Sequence, residues 1–196
     1  SLTNSVRFSL HIRISKYVFF LSLLFLVSCS ENYSGKKQPI AQKGILDLRN
    51  WDFEKDGPVK LDGEWNWWWK ELLSSEGFLN SNELKKPHAY FKVPSLWNGL
   101  KNPIKPGEII EGHGFSSFSL KILSNEKNLA LMANSMDTSF NISLVSDAKV
   151  FDLIESGIVA ETKDKAIPRF HPQVSQSFDI KAEAILVLRV ANFSNY

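Results

Sequence analysis

A single cysteine, Cys29, in 196 residues leaves no partner for a disulfide, so the folded part must be held by its core alone. Acidic residues are missing from the first 28 positions, which carry Arg7, Arg13 and Lys16. Setting those three aside turns the formal net charge of +2 into 20 basic against 21 acidic residues, a balance that excludes nucleic acid as a partner. Long apolar runs are absent too: the stretch at 17–27 is about eleven residues, and a bilayer-spanning helix needs about 20. The chain has no Gly-x-Ser-x-Gly, no His-Glu-x-x-His, no phosphate-binding glycine loop and no Cys/His pair. Its carboxylates cannot be paired at a catalytic separation from sequence. The expectation is a binding protein and not an enzyme.

What is present is ordinary globular material, 43% hydrophobic and 12% aromatic, enough for one domain with a core. Residues 1–16 are polar and positive, residues 17–27 are apolar, and Ser28-Cys29-Ser30 is a run of small residues. That order is the layout of a secretory signal peptide over residues 1–28. Within it, Leu26-Val27-Ser28-Cys29 resembles the lipobox of bacterial lipoproteins. The resemblance implies that Cys29 is acylated and becomes the first residue of an exported, membrane-tethered protein, since more than one acyl chain gives stable anchoring. Residues 29–43 are polar without hydrophobic periodicity and read as a flexible tether.

From residue 44 to 196 short apolar segments alternate with turn residues. Phe118, Leu120 and Ile122 alternate with Ser117, Ser119 and Lys121, and Phe140, Ile142 and Leu144 with Asn141, Ser143 and Val145. Period two means strands with one buried and one wet face. Residues 129–133 and 185–190 are more continuously apolar, as central strands are. Further strands are expected at 44–49, 59–62, 90–93, 150–154 and 174–180. Eight or nine short strands predict an all-β, two-sheet sandwich or jelly roll. One helical stretch is expected at 68–73 and a second just after Ser74 or Ser75, with Glu76 in its first turn.

The densest feature is Trp65-Asn66-Trp67-Trp68-Trp69. In a strand Trp65, Trp67 and Trp69 share one face and Trp68 the other. The cluster is either core or a platform on which sugars stack, with Trp68 the one expected to be exposed. Asp52-Phe-Glu-Lys-Asp-Gly57 opens like a calcium loop, but Gly63 stands where the bidentate glutamate of an EF-hand belongs. A solvated turn is expected there, a non-helical Ca²⁺ site being the alternative; no other cofactor or metal is indicated. Glu108, Glu111 and His113 flank Gly112 and Gly114 without a known ligand spacing, and His88 and His171 stand alone beside prolines.

The order of these segments resembles a known module. Gly44-Ile-Leu-Asp-Leu-Arg-Asn-Trp51, Val59-Lys-Leu-Asp-Gly-Glu-Trp65, Phe91-Lys-Val-Pro94-Ser-Leu-Trp97 and Gly112-His-Gly-Phe-Ser-Ser-Phe-Ser-Leu120 are similar to the N-terminal extracytoplasmic domain of bacterial seven-transmembrane receptors with diverse intracellular signalling modules. They also resemble the sugar-binding jelly roll of family 2 glycoside hydrolases, the galactose-binding-like fold. The likeness spans residues 44–193 and departs at Ser146-Asp147-Ala148-Lys149, where both families carry a tight Asn-Gly hairpin.

The resemblance implies a sensory or binding role in the cell envelope, for a small-molecule or carbohydrate ligand. A cyclase or kinase output would lie in a continuation beyond Tyr196. The alternative is a stand-alone carbohydrate-binding lipoprotein using the tryptophan cluster. Exposed aromatics and loop polar groups are the expected ligand contacts: Trp68, Trp97, His113, Arg169 and His171. Cys29→Ser should abolish palmitate incorporation and release the protein from the membrane fraction; unchanged labelling and sedimentation would overturn the lipoprotein reading.

Overall fold

Each long apolar run places its side chains on alternate faces of a strand, and in the computed structural model those strands join one sheet. The structure describes residues 34–80, 84–133, 138–169 and 173–193. The expected signal peptide, Cys29 and His171 lie outside them. In chain order the elements are β1 (Ile45–Asp47), α1 (Phe53–Asp56), β2 (Gly63–Trp69), a 3₁₀ turn (Ser75–Phe78) and β3 (Ala89–Val93). Then come β4 (Gly114–Ser124), β5 (Met132–Ala133), β6 (Ser139–Ser146), β7 (Lys149–Ser156), β8 (Gln173–Val174) and β9 (Ala182–Asn192).

The main sheet runs β3-β2-β4-β9-β6-β7, and β1 lies parallel to β4 beyond the end of β2. β4 and β9 pair antiparallel over their whole lengths, Gly114 opposite Asn192 and Ser124 opposite Ala182. β5 and β8 form a separate two-stranded ribbon. The fold is all-β, a sandwich in which the ribbon and its flanking loops cover one face of the seven-stranded sheet.

That face carries the principal core: Trp65, Trp67 and Trp69 from β2, Phe91 from β3, Phe118, Leu120 and Ile122 from β4, and matching residues of β6 and β9. The aromatic rings meet edge to face or stacked, Trp67 lying 5.2 Å from Phe91 and Trp97 5.3 Å from Trp69. A second, smaller cluster of Trp68, Phe78, Val145 and Val187 sits on the opposite face of the sheet. Residues 70–80 and Leu84 cover it, with Leu73, Phe78 and Leu84 packed against it.

Several expectations are corrected. Residues 68–73 are not helical: Trp68 and Trp69 continue β2 opposite Ser117 and Ser116, and Lys70, at φ 57°, ends the strand. An aromatic run gains more on a pleated sheet than in a helix, where χ1 is restricted. The second helix is present as the 3₁₀ turn, with Ser74 Oγ accepting the Gly77 N–H. Residues 129–133 are not a central strand. Leu129, Leu131 and Ala133 pack on the principal core while Met132 points out, 70% exposed, so the run buries one face only. Residues 59–62 form no strand, although Val59 and Leu61 pack on the core. The segment 174–180 pairs only at Val174 and in a single bridge at Phe178.

The folded unit begins at Gly35, so the boundary expected at 43/44 lies inside it. Ala41 is buried and its N–H donates to Asp62 O, while its carbonyl accepts from Glu64 N. Lys36 Nζ pairs with Asp56 and Gln38 bonds to Pro58 and Lys60. A polar sequence is docked here because its backbone extends the sheet edge, a contact that hydrophobic periodicity does not report.

Asp52–Gly57 is one helical turn: Asp52 Oδ1 caps the Glu54 and Lys55 N–H groups, and Lys55 Nζ reaches its other oxygen. The hairpin between β6 and β7 is closed by Asp147 and Ala148 at φ 51° and 55°. Both are left-handed, which is the geometry of a tight Asn-Gly turn without its residues. Aspartate tolerates that conformation better than alanine does. Ala148→Gly should therefore stabilise the fold by about 0.5–1 kcal/mol, after the entropy cost of glycine is set against the relieved strain. The check is a rise in urea midpoint at constant m-value.

Candidate ligand-binding site

Strand register sets side chains from five strands in one row across the back of the sheet, the face opposite the principal core. Trp68 lies opposite Ser117, Ser117 opposite Arg189, Arg189 opposite Asn141 and Asn141 opposite Glu155. The row passes from fully buried at Trp68 to exposed at Glu155. Its inner half is satisfied by the covering segment: Ser117 Oγ accepts from Leu73 N at 2.8 Å and donates to Glu71 O at 2.9 Å. This corrects the expectation of a wet face at Ser117 and Ser119: both are buried, Ser117 under the segment at residues 71–73 and Ser119 beside Asn66.

The outer half of the row opens into a cleft of about 210 Å³. Arg189, Asn141 and Glu155 form its polar floor, and Leu72, Gly157, Ile158 and Val159 its walls. A bulge places Glu155 there. The register slips between Ile142 and Ser143, so that both Leu153 and Ile154 reach the core while Asp152 and Glu155 stay on the back face. Gly157 then turns the chain away at φ 76°; a Cβ would stand 2.0 Å from Ile167 O. The excursion closes on itself through the paired hydrogen bonds of Ile158 and Ile167, at 2.8 and 3.0 Å.

The polar floor is incompletely matched. Arg189 is half-buried on a central strand, and its guanidinium has no ion pair or side-chain hydrogen bond among the described residues. Asn141 Nδ2 approaches Glu155 Oε1 at 3.5 Å, and Asn141 Oδ1 is covered without a donor. Two other buried oxygens lack partners among the described residues, Ser75 Oγ and Ser146 Oγ, and neither lines the cleft. The carboxylates held below their ordinary range are elsewhere. Asp47 is lowered to about 2, chiefly by the hydrogen bond from the Arg49 side chain, and Asp52 is lowered chiefly by Lys55.

The expected ligand contacts within the described residues, Trp68, Trp97, His113 and Arg169, do not form one exposed site. Trp68 is 0% exposed, its ring edge-on to Phe78 at 5.7 Å and its Nε1 bonded to Lys85 O, so the expectation of an exposed Trp68 is overturned. It is buried because the covering segment crosses the sheet at that point. Trp65, Trp67 and Trp69 are buried in the principal core, so the cluster offers no ring face on which a sugar could stack. Trp97 is likewise buried, donating Nε1–H to Gly112 O at 2.8 Å. His113, the residue after Gly112, is exposed and does not line the cleft. Arg169 is exposed, and its backbone lies against the cleft: its N is 3.2 Å from where a Gly157 Cβ would stand, and its carbonyl accepts from Ser156 Oγ.

His88 is fixed within the fold, Nδ1 accepting from Trp69 N and Nε2 lying 3.1 Å from Glu71. Among the described residues no group of three or more histidine and acidic side chains is placed to hold a metal ion.

Sequence reading passed over Arg189, Asn141 and Glu155. The available signal was a charged residue inside the apolar run 185–190, because a lone cation on a central strand has to be matched by something. No protein-family model matches the chain, and no curated protein matches it. Gly157→Ala should strain the backbone and drive Ile167 away, costing more than about 2 kcal/mol. Limited proteolysis should then cut within residues 158–168 faster than in the wild type.

Proposed function

We propose that this chain is the exported, lipid-anchored ligand-binding sensor domain of a bacterial membrane signalling protein, and that it takes a small polar molecule in the back-face cleft. The observation that carries the binding role is Arg189, a half-buried residue that lines an open cleft and whose guanidinium has no partner among the described residues. Partial burial strips water from the cation without supplying a counter-charge, a state that a ligand acceptor would relieve. The scaffold suits the task. The floor stands on paired strands and holds its geometry, while the rim is formed by the loop from Gly157 and by residue Leu72, where chain variation is tolerated.

The segment order of residues 44–193 supports the sensory part of the reading, and the lipobox at Leu26–Cys29 supports attachment at the membrane. Among the described residues no helix is long and apolar enough to cross a membrane. Signal would pass to a cyclase or kinase partner module only insofar as the ligand binds one conformation of the domain more tightly than another.

Thermal unfolding of the full chain against a panel of sugars, organic acids, amino acids and nucleosides tests the proposal. One class should raise the wild-type melting temperature by about 5 °C or more at hundredfold excess over Kd, and Arg189→Gln should lose that shift. A panel in which no class stabilises the wild type overturns it.

A further inference from the structure

Resting on that reading of the cleft, we infer that its ligand is a free α-amino acid with a short aliphatic side chain, bound as the zwitterion. The floor presents two opposite charges that do not satisfy each other. Arg189 on β9 and Glu155 on β7 flank Asn141 on β6 in a single cross-strand row. Adjacent opposed residues stand about 5 Å apart in an antiparallel sheet, so the two backbones lie about 10 Å from one another. Long side chains could close that gap, yet no ion pair joins Arg189 to Glu155 among the described residues. Glu155 Oε1 is instead approached by Asn141 Nδ2 at 3.5 Å, leaving a cation and an anion on either side of the amide.

An α-amino acid carries the complementary charges on one carbon. Its carboxylate matches the planar fork of a guanidinium, which can bind it bidentately. Its ammonium matches the Glu155 carboxylate. Other ligand classes meet one wrong charge: a dicarboxylate is repelled by Glu155 and a polyamine by Arg189. A neutral saccharide would bury both charges without neutralising either. Leu72, Ile158 and Val159 add a small apolar strip to an otherwise polar lining, room for a short aliphatic side chain and no larger one. The volume of about 210 Å³ is below that of clefts built for drug-sized molecules and fits a single small metabolite.

Isothermal titration of the full chain in detergent tests this with L-valine, its carboxamide (no carboxylate), N-acetyl-L-valine (no ammonium), galactose and succinate. L-Valine should bind, and each blocked analogue should bind about tenfold to a hundredfold more weakly, as loss of a charged hydrogen-bonded pair implies. The variants should separate the two ends. Arg189→Gln should make valine and its carboxamide equivalent while keeping the penalty for N-acetylation, and Glu155→Gln should do the reverse. Glu155 is exposed, so its variant folds independently of the outcome, which circular dichroism and the melting temperature confirm.

Equal affinity for valine and its blocked analogues overturns the inference. Binding of galactose or succinate in place of valine, lost in Arg189→Gln, overturns the amino-acid assignment while leaving the cleft as the binding site. Silence from every ligand class overturns both.

Discussion

Burial of tryptophan on both faces of one sheet is the constraint on which the rest of the structure depends. β2 delivers Trp65, Trp67 and Trp69 to one side and Trp68 to the other, each a large apolar surface that cannot be left in water. The first side is closed by loops and the β5–β8 ribbon, the second by residues 70–80 together with Leu84. That covering segment must find hydrogen bonds where it crosses the sheet, and β4 supplies them through small polar side chains. Ser117 Oγ accepts from Leu73 N and donates to Glu71 O; on the core face Ser116 Oγ accepts from Trp67 Nε1 and donates to Trp68 O within the sheet. Serine is small enough to sit beneath an indole and still carries a donor and two acceptor sites.

The cleft exists because the cover stops short. Leu72 closes one side of it and the loop from Gly157 the other, and the row of side chains beyond Ser117 changes from hydroxyl to guanidinium, amide and carboxylate. A central strand normally keeps such groups out, since burial without a partner is costly. Here the cost falls where the structure is open enough for a partner to arrive. The β7 bulge and the left-handed Gly157 are the two backbone devices that hold the carboxylate side of the cleft in place.

Strand existence was legible wherever side chains alternated. The runs around Phe118–Ile122 and Phe140–Leu144 mark β4 and β6, and the assignment of Trp65, Trp67 and Trp69 to one face holds. The tight β6–β7 hairpin kept its geometry without an Asn-Gly pair, because strand twist selects the turn and Asp147-Ala148 can be forced into it. Solvent exposure was not legible. Trp68 and Ser117 alternate correctly with the core residues, yet alternation states only which face a side chain takes and nothing of what lies over that face. The docked segment from Lys36 to Ala41 was missed for a related reason, since it is held by backbone pairing and polar contacts that leave no periodic trace.

By itself, the sequence determined an all-β domain, the placement of Trp65, Trp67 and Trp69 on one face of their strand and the absence of an internal disulfide. It did so because period two, residue size and charge distribution act locally along the chain. Only the tertiary structure decided that a fourth tryptophan is buried, that Trp97 belongs to the core, and that Arg189, Asn141 and Glu155, up to 48 positions apart in the chain, stand in one row. Their juxtaposition is a product of register between β9, β6 and β7, and register is fixed by long-range pairing that no single segment contains.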